Sequence, residues 1–112
     1  MSNNGNGSIK RRLGISTYVG CEETIEAFFQ RCEKLGVAYV EVLCEKPMAL
    51  PVDVTQRERK QIRELLESYS LTPIVQAPYF DINIASLNSR IGDASMQQIK
   101  EAILFAADIE AT

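Results

Sequence analysis

The sequence predicts an α/β domain built from parallel strands, each followed by a helix. Two observations carry this. Strand-like and helix-like runs alternate three times, and each unit spans about 30 residues, as right-handed βα crossovers require. The middle strand run, Val37-Ala-Tyr-Val-Glu-Val-Leu-Cys44, is apolar on both faces apart from one carboxylate, the pattern of a parallel strand covered on two sides. At 112 residues the chain has room for one domain with a modest core.

The elements follow in order. Residues 1–8 are rich in Asn, Gly and Ser and read as a disordered tail, because they cannot bury enough apolar surface to offset their ordering entropy. The folded unit is then expected over residues 9–112. Residues 13–17 read as a first strand, with Tyr18-Val19-Gly20 as the loop beyond it. Residues 22–35 read as a helix: Ile25, Phe28, Phe29, Cys32 and Leu35 recur at three- and four-residue steps. Glu22 and Glu23 open it and Gly36 follows it, as the helix dipole and the C′ position favour. The second strand covers residues 37–44, with Cys44 as a core residue. A loop containing Pro47 and Pro51 leads to Asp53 or Thr55, either of which can cap a helix running to about Tyr69. Its buried stripe is Ile62, Leu65, Leu66 and Tyr69. Arg57, Glu58, Arg59, Lys60, Arg63, Glu64 and Glu67 form its solvated face. Residues 72–77 read as the third strand, with Ile74, Val75 and Ala77 as buried positions. A last helix is expected from Ala94 or Ser95, with Ile99, Ile103, Leu104 and Ala107 on one side.

Composition excludes several functions. The net charge of -3, with acids and bases interspersed, gives no electrostatic footprint for nucleic acid, and Lys10-Arg11-Arg12 alone is too small to supply one. No apolar run approaches the ~18 residues of a membrane span. The tail lacks the hydrophobic region of a signal peptide. Three cysteines without C-x-x-C spacing read as reduced thiols, and the expected location is cytoplasmic. The sequence contains no histidine, which removes the commonest general base and the commonest metal ligand together. Cys21, without a histidine partner, is a poor candidate for a thiol nucleophile.

Two polar residues inside strands bear on the architecture. Glu41 interrupts the second strand and Gln76 the third. A buried carboxylate without a partner is costly. In an open sheet helices cover both faces, whereas near the mouth of a (β/α) barrel both residues would point into a solvated, ligand-filled centre. The barrel is the expectation. The alternative is that Glu41 forms an ion pair and Gln76 bonds to backbone.

Four segments then resemble the opening of the xylose isomerase-like TIM barrels: Leu13-Gly-Ile-Ser-Thr, Leu35-Gly-Val-Ala-Tyr-Val-Glu-Val, Pro73-Ile-Val-Gln-Ala-Pro-Tyr, and Asp81-Ile-Asn-Ile-Ala-Ser-Leu-Asn. That superfamily includes sugar-phosphate isomerases and epimerases and the second family of AP endonucleases. The resemblance covers nearly the whole chain after the tail. It implies the first three βα units of a (β/α)8 barrel, with helices on the outer face and the barrel incomplete, roughly three eighths of a fold of about 250 residues. It also implies a divalent metal (Mn, Mg, Zn or Co) for a complete barrel, held mainly by later strands, with no metal ligand assigned in this chain. Many relatives carry His-Ala-Pro in the third strand where this sequence has Gln76-Ala-Pro. An amide is a poor metal ligand but a good hydrogen-bond partner for a hydroxyl or carbonyl, which disfavours the endonuclease reading.

The candidate substrate-binding residues are Gln76, Glu41, Tyr79 and Asn83; no catalytic residue is assigned. Gln76 is the foremost of these. For Glu41, a hydroxyl contact and an ion pair are equally weighted. Tyr79 and Phe80 could stack on a sugar, although loop aromatics more often pack under their loop. Asn83 and Asn88 are expected to bind backbone within the loop. Glu45, beside Lys46, reads as an exposed loop charge. Asp81, Ser16 and Tyr18 stay open. The first functional reading is an N-terminal portion of a sugar or sugar-phosphate isomerase or epimerase, forming one wall of the substrate pocket and inactive alone. The alternatives are a non-catalytic partner that self-associates or docks on a complementary barrel fragment through its open sheet, and an AP endonuclease-like fragment.

Overall fold

The computed structural model describes residues 8–20, 23–46 and 50–112. The predicted Glu22 helix start, Cys21, Pro47 and most of the tail lie outside these residues. Three strands, β1 (Gly14–Ser16), β2 (Tyr39–Leu43) and β3 (Thr72–Gln76), alternate with three helices, α1 (Ile25–Leu35), α2 (Gln56–Ser68) and α3 (Ser89–Asp108). The sheet is parallel in the order β1-β2-β3. This is the expected βαβαβα arrangement.

Each helix begins where a side chain meets its free amides. Thr24 accepts from the Ala27 amide ahead of α1. Thr55, one of the two predicted caps, forms a reciprocal capping box with Glu58 at α2. Asn88 accepts from the Arg90 amide at α3, so that helix starts at Ser89, five or six residues before the expected Ala94 or Ser95. Gly36 ends α1 at φ 75°, a backbone conformation that a residue with a Cβ resists.

The strands divide their side chains between two faces. Ile15, Val40, Val42, Pro73 and Val75 alternate onto the face covered by helices. Val40 and Val42 there join Phe28, Phe29 and Cys32 of α1, Ile62 and Leu66 of α2, and Ala102 and Phe105 of α3, with Leu71 and Ile109 alongside, in one continuous core. Gly14, Ser16, Tyr39, Glu41, Leu43, Thr72, Ile74 and Gln76 occupy the other face. The buried helix residues pack against the first face, whereas on this one Leu43 is buried and Ile74, expected to be buried, is 42% exposed. The sheet is therefore covered on one side, as in a barrel wall, not on both.

Three further expectations are corrected. The buried side of α3 is Ser95, Ala102 and Phe105, while Ile103 and Leu104 are each 62% exposed and Ala107 is exposed too. Arg59 is not part of the solvated face of α2. Its guanidinium bonds to Asp108 Oδ2 (2.7 Å), to the Val54 carbonyl (3.0 Å) and to the Pro51 carbonyl (2.6 Å), and lies over the Phe105 ring. Leu35, placed in the α1 stripe, is half exposed.

Candidate functional site at the C-terminal end of the sheet

The register brings the two strand polar residues together. Ser16, Glu41 and Ile74 stand side by side across the three strands, and Leu43 pairs with Gln76 one pleat further on. Side chains repeat every second residue along a strand, so Glu41 and Gln76 share the uncovered face, one step apart. Both are half-buried. Among the described residues no Lys or Arg forms a salt bridge with Glu41, so the ion-pair alternative finds no partner there. The Gln76 carbonyl accepts from the Cys44 amide, fixing the top of β3 against β2.

The loop after β3 is pinned at several points. Pro78 is buried. The Asn83 amide donates to Ser95 Oγ (2.9 Å), and Ser95 is 1% exposed. Asn83 Oδ1 accepts from the Ala85 amide, and Ser86 Oγ from the Asn88 amide. Asn83 and Asn88 thus bind backbone as expected of Asn in turns. Asp81 takes φ 57°, left-handed for a non-glycine residue, at the apex of this segment. Tyr79 and Phe80 do not tuck beneath the loop. They are 49% and 59% exposed, with ring centroids 4.4 Å apart and planes tilted by 38°.

Glu45 reverses the sequence reading. It is buried, not an exposed loop charge, and its Oε1 accepts from the Phe80 amide at 3.0 Å. This bond ties the loop after β2 to the loop after β3. After β1, Ser16 Oγ accepts from the Tyr18 amide and the buried Thr17 hydroxyl oxygen accepts from the Leu43 amide. Ser16 therefore serves its own turn, and Tyr18 projects into solvent. Sequence reasoning missed Glu45 and Thr17. A capping-type hydroxyl next to a strand is the one signal that could have marked Thr17.

Cys32 and Cys44 are both buried. Burial pushes the Cys44 thiol up to about 11 and also raises that of Cys32. Both stay protonated at neutral pH and are poor nucleophiles. Among the described residues no three of the metal-ligating types converge. The donor set here does not make a site for the divalent cation that the sequence resemblance implies, and no chemical step is derived through one. What the arrangement offers is a carboxylate and an amide at successive levels of one sheet face, followed along the chain by a pinned aromatic loop. That combination suits hydrogen bonding to hydroxyl or carbonyl groups and contact with an apolar ligand face. A depression of about 390 Å³ lined by Arg11, Arg12, Gly14, Tyr39 and Ile74 lies at the opposite, N-terminal end of the same face.

Residues 29–112 match the family model described as xylose isomerase-like TIM barrel. An uncharacterised protein of Methanocaldococcus jannaschii is 25% identical over 99 residues, covering 88% of this chain and 32% of that protein. Two crystal structures share the fold. A D-tagatose 3-epimerase-like protein superposes with a TM-score of 0.68 at 23% identity, over 88% of this chain and 34% of its own. A D-psicose 3-epimerase determined in the presence of D-fructose gives 0.72 at 15% identity, over 88% and 34%. The chain spans about a third of the length of these relatives.

Proposed function

The chain belongs to the xylose isomerase-like TIM barrel family, and from that premise we propose that it forms one wall of the substrate pocket of a sugar isomerase or epimerase. The observation that carries this reading is the shared placement of Glu41 and Gln76 on the uncovered sheet face, toward the strands' C-terminal ends. Barrel enzymes of this architecture build their sites at that end. Gln76 donates and accepts hydrogen bonds without charge, which fits a sugar hydroxyl or carbonyl; Glu41 accepts from hydroxyls. Tyr79 supplies an aromatic face beside them. Asn83 is committed to its loop through the amide and Oδ1, so its part is to shape the rim.

The substrate class is a sugar or sugar phosphate, and a ketose is in keeping with the names of the two epimerase-fold relatives. The full reaction moves a proton beside a carbonyl and needs an acid/base pair and stabilisation of an enediolate. The described residues hold one wall and no such pair, so the chain by itself is expected to be inactive. Divalent-metal dependence belongs to the complete barrel.

Saturation-transfer NMR with D-fructose tests the reading. The chain is expected to show millimolar binding that Gln76→Ala weakens by about twofold to tenfold, the worth of one net hydrogen bond. Equal binding by wild type and by the Gln76→Ala, Glu41→Ala double variant would sink it.

A second reading is favoured by a separate observation. Ile74 on the open sheet face and Ile103 and Leu104 on α3 are exposed apolar side chains. Such surfaces favour docking on a complementary fragment or on another copy. Size-exclusion chromatography over a hundredfold range of concentration decides it; a concentration-independent monomer counts against docking.

A further inference from the structure

Glu45 is the charged group that the proposed function leaves unused. It lies two residues beyond the last residue of β2, on a loop, yet it is only 7% exposed. Among the described residues no cation forms a salt bridge with it. Its recorded partner is the backbone amide of Phe80, 35 residues away in sequence. Burying a carboxylate against a neutral donor is an expensive way to fill a loop, and an apolar side chain would fill the same space at less cost. The charge therefore bears on what the bond holds.

The Phe80 amide belongs to the peptide that joins Tyr79 to Phe80. Holding that peptide in place holds the two Cα atoms from which the rings leave the backbone. The rings lie 4.4 Å apart and both are about half exposed. Buried Pro78 anchors the segment on one side, and Ser95 holds Asn83 on the other. Between these anchors stands the left-handed Asp81, a conformation that persists only when its surroundings hold it. Two large rings displayed from a segment so constrained form a fixed surface, three and four residues past Gln76.

We propose that Glu45 is a positioning residue: through the Phe80 amide it sets the Tyr79–Phe80 pair as an aromatic platform for the C–H face of a sugar whose hydroxyls meet Gln76 and Glu41. The ligand half of this rests on the sugar-wall reading above; the anchoring half does not.

NMR on the whole chain tests both halves. In wild type the Phe80 amide is protected from hydrogen exchange. Glu45→Ala is expected to speed exchange at Phe80 about tenfold or more, the worth of a hydrogen bond to a charged group. It is also expected to abolish the Tyr79–Phe80 inter-ring NOEs, while Val40 and Val42 keep their protection. Glu45→Gln retains an oxygen acceptor and restores protection to within about threefold. A Phe80 amide that is unprotected in wild type overturns the anchoring; this readout needs no variant to fold. So does a folded Glu45→Ala protein with unchanged Phe80 exchange. With D-fructose, ring shifts are expected in wild type, with Kd raised about threefold to tenfold in Glu45→Ala. Shifts at Gln76 without shifts at the rings overturn the platform alone. Shifts at neither overturn the sugar-wall reading and the platform together, and leave the exchange result to decide the anchor.

Discussion

Replacing Arg59 with Ala should destabilise the fold by about 3 kcal/mol, and most of that loss should not come from its ion pair. The side chain is 11% exposed and reaches from α2 to two loop carbonyls, to Asp108 at the end of α3 and over Phe105. Each charge-assisted bond to a carbonyl is worth about 1.5 kcal/mol at the low end of its range. The ring contact adds about 0.5–1 kcal/mol. Asp108 is 34% exposed, so solvent screens the pair and its share is at most about 1 kcal/mol. These contributions are not additive, which places the whole near 3 kcal/mol. Urea unfolding is the assay: with m of about 1–3 kcal/mol/M, the midpoint should fall by roughly 1–3 M. Asp108→Ala should cost about 1 kcal/mol or less, and Arg59→Lys, which keeps the charge but not the planar fork, should fall between the two. The double-mutant cycle should give a coupling of about 1 kcal/mol or less. If Asp108→Ala costs as much as Arg59→Ala, the ion pair dominates and the reasoning is wrong.

Four other outcomes follow from the same structure. The Arg59 guanidinium, with Gln56, holds the Asp108 carboxyl below its ordinary 3.8, so its stabilisation is present above that value and lost as pH falls through the depressed one. Urea midpoints should therefore drop in acid, and less steeply in Arg59→Ala. Cys44, pushed up to about 11, stabilises the fold below 9.0 and loses that contribution as pH rises toward 11. At pH 8 Cys32 and Cys44 should resist iodoacetamide in the native chain and react in urea; rapid native labelling of either, read by peptide mass, would contradict their burial. A Cβ at Gly20 would run into the Phe28 ring, so Gly20→Ala should cost about 1–3 kcal/mol, measured by the same unfolding curves. The purified chain with Mn²⁺ or Mg²⁺ should show no ketose epimerisation or ketose–aldose interconversion by chromatography; turnover would show that it holds a complete acid/base set.

The parts of the fold that sequence reasoning found are those set by local period and local chemistry. Phe28, Phe29 and Cys32 recur at helical spacing and are buried together, and Thr55 with Glu58 spells a capping box within four residues. The barrel-wall arrangement was also legible, because Glu41 and Gln76 are costly in a sheet covered twice. What escaped depends on partners that leave no local mark. Glu45 and Arg59 look like surface charges; their partners are a distant amide and two carbonyls, groups that every residue carries. The start of α3 was missed because Asn88 reads as a loop residue, although it caps the helix. Its buried side was misassigned because Ile103 and Leu104 are as apolar as the residues that face the core. At the candidate site, the strand positions were found by pattern, whereas the outward display of Tyr79 and Phe80 depends on Glu45 and could not be seen without it.

The uncovered face of the sheet, at its C-terminal end, is proposed as a sugar-binding wall. A backbone and side-chain amide NMR titration of the chain with D-fructose measures this directly. Saturable shifts are expected at Glu41, at the Gln76 side-chain amide and across Tyr79 and Phe80, with the helix-covered Val40, Val42 and Phe29 unmoved. Shifts confined to the N-terminal depression near Arg11 and Arg12, or none at concentrations of about 100 mM, a hundredfold above a 1 mM affinity, would contradict it.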